Sequence, residues 1–417
     1  MSSPRLNVSL DRLRRDLEHL ATIGRTPSGG TSRTSFSSAD QQVREWLEHE
    51  CAENGLTTET DGIGNVVIRL GDTSNVADAD AAPVRTGSHL DTVPEGGNYD
   101  GILGALAGLE VMRIIAEQRP QLARPVEAVV FADEEGNYHH LLGSTAMVAN
   151  YEWEDLKEFR GRDGDLLIDA LGQMDWEPAD ATRTALTEGA LHSFVELHIE
   201  QGPTLEAAGT DIGVVTGIVG LGGGQAEFRG RSDHAGTTPM DLRLDPVPAA
   251  GAFIARLPGI ARETSSTAVV TCGLIDVEPG GTNVVPNLAR IHLDFRDPDP
   301  DVLVALEQRL QSAIEEAGRE HGIEATYVRE SITQPVPLDE SIRERISRSA
   351  SARGLSAEPI PSGAGHDSQN MARLAPTAMI FIPSTGGSHN PRENAEWDAI
   401  ENGANVLLDT LLDLASD

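Results

Sequence analysis

The sequence predicts an α/β fold, a mixed, largely parallel sheet domain into which a ferredoxin-like α+β domain is inserted. Three observations predict it. Apolar runs of strand length flank a helical pattern across residues 84–132; the rhythm becomes β-α-β-β-α-β between about residues 212 and 330; and an apolar run of strand length returns at Ala378–Ile382. A chain of 417 residues is longer than one compact core usually supports. Residues 1–211 and 331–417 are therefore assigned to the larger domain and 212–330 to the insert.

In chain order, Leu6–Leu20 and Asp40–Asn54 show helical spacing, the second with Val43, Trp46 and Leu47 on one side. Gly71–Ala82 is a polar loop. Val84–Leu90 reads as a strand, then comes a glycine-rich turn, a helix over Ile102–Gln118 and a strand over Val126–Ala132. Further strands are expected at Phe194–Ile199 and Ala378–Ile382. Within the insert, the pattern gives a strand through Phe228, a helix near Val247–Ala261 and strands near Ala268–Asp276 and Leu288–Arg296. A helix near Val302–His321 and a strand near Glu324–Arg329 complete it.

Composition narrows the function. Acidic residues number 66 against 32 basic, for a formal charge of −34, and Lys157 is the single lysine. Such a surface repels nucleic acid and anionic membranes. The carboxylates are spread through segments with periodic apolar residues, which indicates a folded protein with an acidic surface of the kind suited to concentrated salt, and not a disordered tail. Cys51 and Cys272 lie far apart, without metal-ligand spacing, so any metal must use His, Asp and Glu. The first twenty residues lack a signal-like apolar block, and a cytoplasmic protein is expected.

The candidate chemistry sits beyond strand ends, where parallel sheets place their ligand sites. His89 ends one strand, with Asp91 two residues on to orient its second ring nitrogen; Asp100 follows the glycine-rich turn and can reach the same point. Asp133-Glu134-Glu135 follows the apolar run 126–131. Adjacent carboxylates at a buried edge repel unless a cation or proton intervenes, and one of a pair can ligate while the other acts as base. His198 and His389 close two more segments. Each histidine taken alone has an ordinary structural reading. Their convergence with the carboxylates points to Zn²⁺, Mn²⁺, Co²⁺ or Ni²⁺ held by nitrogen and oxygen donors.

The segments Ser88-His89-Leu90-Asp91-Thr92-Val93, His198-Ile199-Glu200-Gln201-Gly202-Pro203, Asp233-His234-Ala235-Gly236-Thr237-Thr238-Pro239-Met240, Ser362-Gly363-Ala364-Gly365-His366-Asp367 and Ser388-His389-Asn390-Pro391 span nearly the whole chain. In them the sequence resembles the dinuclear-metal amidohydrolases that include N-carbamoyl-L-amino-acid hydrolase, allantoate amidohydrolase and β-ureidopropionase. Aminoacylases and carboxypeptidases are more distant relatives. The resemblance implies that His89, Asp100 and His198 bind one ion, that Glu135 and His389 bind another, and that Asp100 is shared. It further implies Glu134 as base, Asp91 as support for His89, and the insert as a dimerisation lid whose His234 enters the partner subunit's site to stabilise the oxyanion. Asn283 and Arg296 would hold the substrate carboxylate, with Gln201, Gly363 and His366 near the substrate.

One stretch departs from the family pattern. Where relatives run Gly-Ser-Arg-Phe after the paired glutamates, this chain has Gly136-Asn137-Tyr138-His139-His140-Leu141-Leu142, and the arginine is absent. His139 and His140 are either extra polar contacts or a surface pair. The expectation is a homodimer that hydrolyses a linear amide or ureido C–N bond in a small carboxylate-bearing substrate, foremost an N-carbamoyl-L-amino acid. The alternatives are allantoate or another ureido acid, an aminoacylase or peptidase, and a catalytically silent binding homologue.

Overall fold

The computed structural model describes residues 5–417. They divide into two compact units: the chain up to Thr216 with Leu338–Ile360 and Gly365–Asp417, and Gly217–Pro337 with Pro361–Ala364. In chain order the strands are β1 (Leu56–Thr60), β2 (Val66–Leu70), β3 (Val84–His89), β4 (Val126–Phe131), β5 (Ser193–Ile199), β6 (Ile212–Ile218), β7 (Gly220–Arg229), β8 (Asp233–His234), β9 (Val269–Glu278), β10 (Val284–Val285), β11 (Leu288–Asp297), β12 (Glu324–Thr333), β13 (Val336–Pro337), β14 (Ala357–Ser362) and β15 (Thr377–Ile382).

The large, nine-stranded sheet has the order β1-β2-β4-β3-β5-β15-β6-β13, with β14 also pairing β6. Its middle, β4-β3-β5-β15, is parallel, and β1, β2 and β6 pair antiparallel on the flanks. Every residue of β3, β4, β5 and β15 is buried, as strands covered on both faces require. The helices Ile102–Gln118 and Trp397–Leu414 contribute much of that cover, sharing one apolar cluster with Val84, Leu197 and Ile380. Val84 pairs with Ser193 and Thr86 with Val195. Continued along the strands, that register carries His89 to the level of His198.

The second unit holds a four-stranded antiparallel sheet of order β12-β7-β11-β9, the ferredoxin-like order. Burial alternates residue by residue along β7 and β11, so one face packs on helices while the other stays open. Phe228, Phe253, Phe295, Leu306, Leu310 and Ile314 form this core. The Pro300–His321 helix is capped by Asp299, whose carboxylate accepts from the Asp301 N–H at 2.8 Å, and ends at Gly322 with φ +66°.

Local chemistry accounts for the differences from expectation. The first helix starts at Leu10, where Ser9 caps it through the Arg12 N–H. The single helix expected at 247–261 is two, Pro246–Ile254 and Leu257–Thr264, because Pro258 has no N–H to donate and its ring clashes with the carbonyl four residues back. The β1–β2 hairpin was not anticipated. Among the described residues, no helix is long and apolar enough to cross a membrane.

Candidate metal centre

Five predicted ligands converge at the carboxyl ends of the parallel strands. His198 Nε2 lies 3.2 Å from Asp100 Oδ1, and His89 Nε2 lies 4.0 Å from the same oxygen. His389 Nε2 stands 3.4 Å from the other oxygen, Asp100 Oδ2, and 3.5 Å from Glu135 Oε2. The donor atoms thus fall into two groups, His89–Asp100–His198 and Asp100–Glu135–His389. Within each, the ligand atoms lie within 4.8 Å of one another, and Asp100 belongs to both.

Hydrogen bonds fix which ring nitrogens face this point. His198 Nδ1 is 2.9 Å from the Ile199 carbonyl and His89 Nδ1 is 3.1 Å from the Asp91 carbonyl. A carbonyl only accepts, so in each neutral ring Nδ1 carries the proton and the lone pair is on Nε2, on the side of the clustered carboxylates; that of His198 accepts the Gly101 N–H at 3.1 Å. Gly101, with φ +67°, brings Asp100 against His89; a Cβ at residue 101 would lie 2.1 Å from His89 Nε2. Three non-glycine residues of the site also sit at positive φ, Asp133 (54°), Gln201 (60°) and His389 (58°), a placement that only a well-determined surrounding sustains.

Asp91 has a second task. Its carboxylate accepts the backbone N–H of Glu135 at 3.1 Å and of Glu134 at 3.4 Å, fastening the turn that presents both glutamates. Asp133, the first acid of the triple, points away from the ligands and accepts the N–H groups of Asn137, Tyr138 and His139 at 2.8 to 2.9 Å. Glu134 Oε2 lies 3.5 Å from His89 Nε2.

The electrostatics favour bound cations. Burial pushes the Glu134 carboxyl well above the usual range, with His89 opposing and Glu135 adding to the rise. Burial and the neighbouring Asp100 lift Glu135 to about 7. Asp100, although buried, is held well below the usual range by His198 and His389. Three imidazoles and clustered carboxylate oxygens form a nitrogen and oxygen donor set, and a divalent ion at either group would relieve the repulsion among the acids.

The remaining candidates are distributed as follows. Gln201 donates through Nε2 to Asp100 Oδ2 at 2.7 Å. His366 is buried, its ring centroid 4.5 Å from that of His198. In the second unit, β8 and β10 pair so that His234 faces Val284, with the Ala235 N–H on the Asn283 carbonyl at 3.0 Å; His234 and Asn283 are both exposed. His234 Nδ1 accepts from the Gly236 N–H at 3.0 Å, which leaves a proton on Nε2. Arg296 directs its fork at Asp294, at 2.9 and 3.1 Å, and gives Nη1 to the Gly363 carbonyl at 2.9 Å.

Sequence reading missed two residues that build the site. Glu393 accepts the N–H groups of Tyr99 (2.8 Å) and Asp100 (3.1 Å) and the Ser388 hydroxyl (2.8 Å). Arg33 is fully buried and donates to the Leu90, Leu20 and Ile23 carbonyls at 2.7 to 3.0 Å, bracing the segment after His89. No local spacing marks either one.

A sequence model of peptidase family M20/M25/M40 matches residues 86–413. The chain belongs to that family. Among relatives of this M20-family protein, the N-carbamoyl-L-amino acid amidohydrolase of Geobacillus stearothermophilus is 37% identical over 411 residues, covering 97% of this chain and 98% of its own. The allantoate amidohydrolase of Bacillus subtilis (strain 168) is 34% identical over 402 residues, 96% of each chain. A crystal structure of an amidase of the hydantoinase/carbamoylase family from Burkholderia multivorans matches with a TM-score of 0.89 and 34% identity, covering 99% of this chain and 100% of that one. The family and the mixed, largely parallel α/β fold expected from the sequence are thus both met.

Proposed function

We propose that this M20-family protein hydrolyses the ureido C–N bond of an N-carbamoyl-L-amino acid with the help of two divalent cations. The observation that carries the reading is Asp100, whose two carboxylate oxygens face two separate donor groups beside Glu134. His89, Asp100 and His198 would hold one ion, and Asp100, Glu135 and His389 the other. Zn²⁺, Mn²⁺, Co²⁺ and Ni²⁺ all suit these donors. Such ions, when bound, supply positive charge that polarises a carbonyl and acidifies water.

The residues do the rest. Glu134 takes a proton from the attacking water as its oxygen bonds to the ureido carbon, and passes it to the leaving nitrogen as the C–N bond breaks. Burial raises the affinity of Glu134 for that proton, as a group that must both accept and return it requires. Asp91 keeps the Glu134–Glu135 turn in place. In the same proposal His234 offers its exposed Nε2 proton to the developing oxyanion in the partner subunit's site, and Asn283, Gly363 and the unengaged Nη donors of Arg296 take the substrate carboxylate, while Gln201 steadies Asp100.

Dimerisation through the second unit belongs to the proposal. Its edge strand β9 exposes Val269, Leu274 and Ile275, and an unpaired apolar edge is a template for a second copy. So does a cytoplasmic setting, supported by two cysteines that are both free. Allantoate is the second substrate reading, favoured by the Bacillus subtilis relative.

The test is release of ammonia from N-carbamoyl-L-amino acids and allantoate, and of free amino acid from N-carbamoyl- and N-acetyl-L-amino acids, after chelation and again after reloading with each metal. Turnover of carbamoyl substrates that is lost on chelation and restored by metal is expected. Glu134→Gln should abolish it while two ions per chain stay bound. Preference for allantoate moves the assignment to the second reading, preference for acetyl substrates to an aminoacylase, and inertness toward all three sinks the proposal.

A further inference from the structure

The loop after β4 departs from the family pattern, and its last polar residue comes back onto the catalytic turn. Three N–H groups on the Asp133 carboxylate and a left-handed Gly136 (φ +70°) fold the segment so tightly that a Cβ at residue 136 would lie 3.0 Å from the His140 backbone. His140 thereby reaches the Glu134 carbonyl with Nδ1 at 2.9 Å. That carbonyl can only accept, so in the neutral ring the proton sits on Nδ1 and the lone pair on Nε2. The ring edge bearing Nε2 leans on Gly365, where a Cβ would lie 3.2 Å from it, next to His366 and so to the His366–His198 ring contact. His139 is turned elsewhere, stacked on Phe159 at 4.8 Å.

The Nε2 of His140 is therefore a hydrogen-bond acceptor fixed between the catalytic turn and the loop of His366. A ureido group differs from its acetyl counterpart by an amino group in place of a methyl, that is, by two donors. We infer that His140 accepts a hydrogen bond from the terminal amino group of the ureido substrate and sets the preference for carbamoyl over acyl compounds. The inference rests on the ureido-hydrolase reading and names the residue that selects within it. Sites that hydrogen-bond a substrate N–H discriminate against the analogue lacking it, because the acceptor is then left unpaired.

The experiment measures kcat and KM of the metal-loaded enzyme on matched N-carbamoyl and N-acetyl derivatives of one L-amino acid, chosen from those the wild type turns over, for wild type, His140→Leu and His140→Gln. For His140→Leu, kcat/KM on the carbamoyl compound should fall about tenfold, chiefly through KM, the loss of one neutral hydrogen bond. The acetyl compound loses only the fastening of the Glu134 carbonyl and should fall by a smaller factor, so that the carbamoyl-to-acetyl ratio drops about fivefold or more, and His140→Gln, which retains an acceptor oxygen, should recover part of the preference. Equal losses on both substrates would make His140 only a fastener of Glu134 and overturn the inference, as would an unchanged ratio in a folded, metal-loaded variant. A wild type active on neither derivative of any L-amino acid defeats the ureido-hydrolase reading and this inference with it; activity on the carbamoyl series with an unmoved ratio defeats this inference alone.

Discussion

Glu393 accepts the backbone N–H of Asp100 at 3.1 Å, joining positions 293 residues apart. Through the Ser388 hydroxyl, whose one proton lies between Glu393 Oε2 and Asp100 Oδ2, the same carboxylate ties the His389 loop to the one residue that both ligand groups share. Glu393→Ala leaves two largely buried amides, of Tyr99 and Asp100, without their acceptor. Metal affinity should fall about 10- to 100-fold, as for other groups that orient ligands from behind. Glu393→Gln, which keeps one acceptor oxygen, should fall between. Competition titration against a chromogenic chelator reads both, and an unchanged affinity in the alanine variant counts against this role.

Glu393 also shows where legibility in the sequence ends. The parallel strands, the insert and the polar residues beyond β3, β4, β5 and β15 were readable because apolar runs and strand ends are local patterns. His89, Asp100, Glu135, His198 and His389 were placed by motif, and the strand register then gathers them. Glu393 and Arg33 act through backbone groups of distant segments, and a carboxylate that caps an amide 293 residues away leaves no period or spacing behind. The same limit applies to Asp91: its link to His89 was anticipated, but its bonds to the Glu134 and Glu135 amides depend on the β3–β4 register. The break at Pro258 was readable in principle, and the periodic apolar residues around it masked the stop.

The two cysteines should differ sharply in reactivity. Cys51 is 1% exposed, and burial raises its thiol from near 9 to about 12, whereas Cys272 is only partly buried. At pH 8 the thiolate fraction of Cys51 is then on the order of 10⁻⁴. Iodoacetamide at pH 8 should modify Cys272 in the native protein and leave Cys51 untouched until the chain unfolds, as peptide mass mapping would show. The sign for stability follows: a raised acid favours the folded state fully below the unfolded value, and that share is lost as pH climbs from about 9 through about 12. Modification of Cys51 in the native protein would contradict its burial.

Salt should stabilise this chain. A formal charge of −34 with only 32 basic residues gives net self-repulsion, and the Debye length falls from about 10 Å at 0.1 M to about 3 Å at 1 M. The thermal midpoint should rise by about 5 °C or more between 0.1 and 2 M KCl, with most of the gain at the low end where screening changes fastest. Calorimetry across that series provides the check. A flat or falling midpoint would mean that local ion pairs such as Arg113–Asp16 at 2.6 Å already offset the excess charge.

Asp91→Asn is the most discriminating change at the centre because it preserves shape. Each Asp91 oxygen accepts a backbone amide, one from Glu134 and one from Glu135, while the carboxylate also lies 3.5 Å from His89 Nδ1. Asparagine has one acceptor oxygen, so its amino group must confront an N–H donor at one of the two positions and the turn must shift. It also removes one of the negative charges that, after Glu134, offset the effect of burial on His89. Turnover should drop about 10²-fold or more, with metal affinity reduced about 10- to 100-fold. Kinetics at saturating metal separate the two contributions: recovery to wild-type kcat would confine Asp91 to ligand support, whereas a persistent deficit shows that it also holds Glu134 where the proton must be taken.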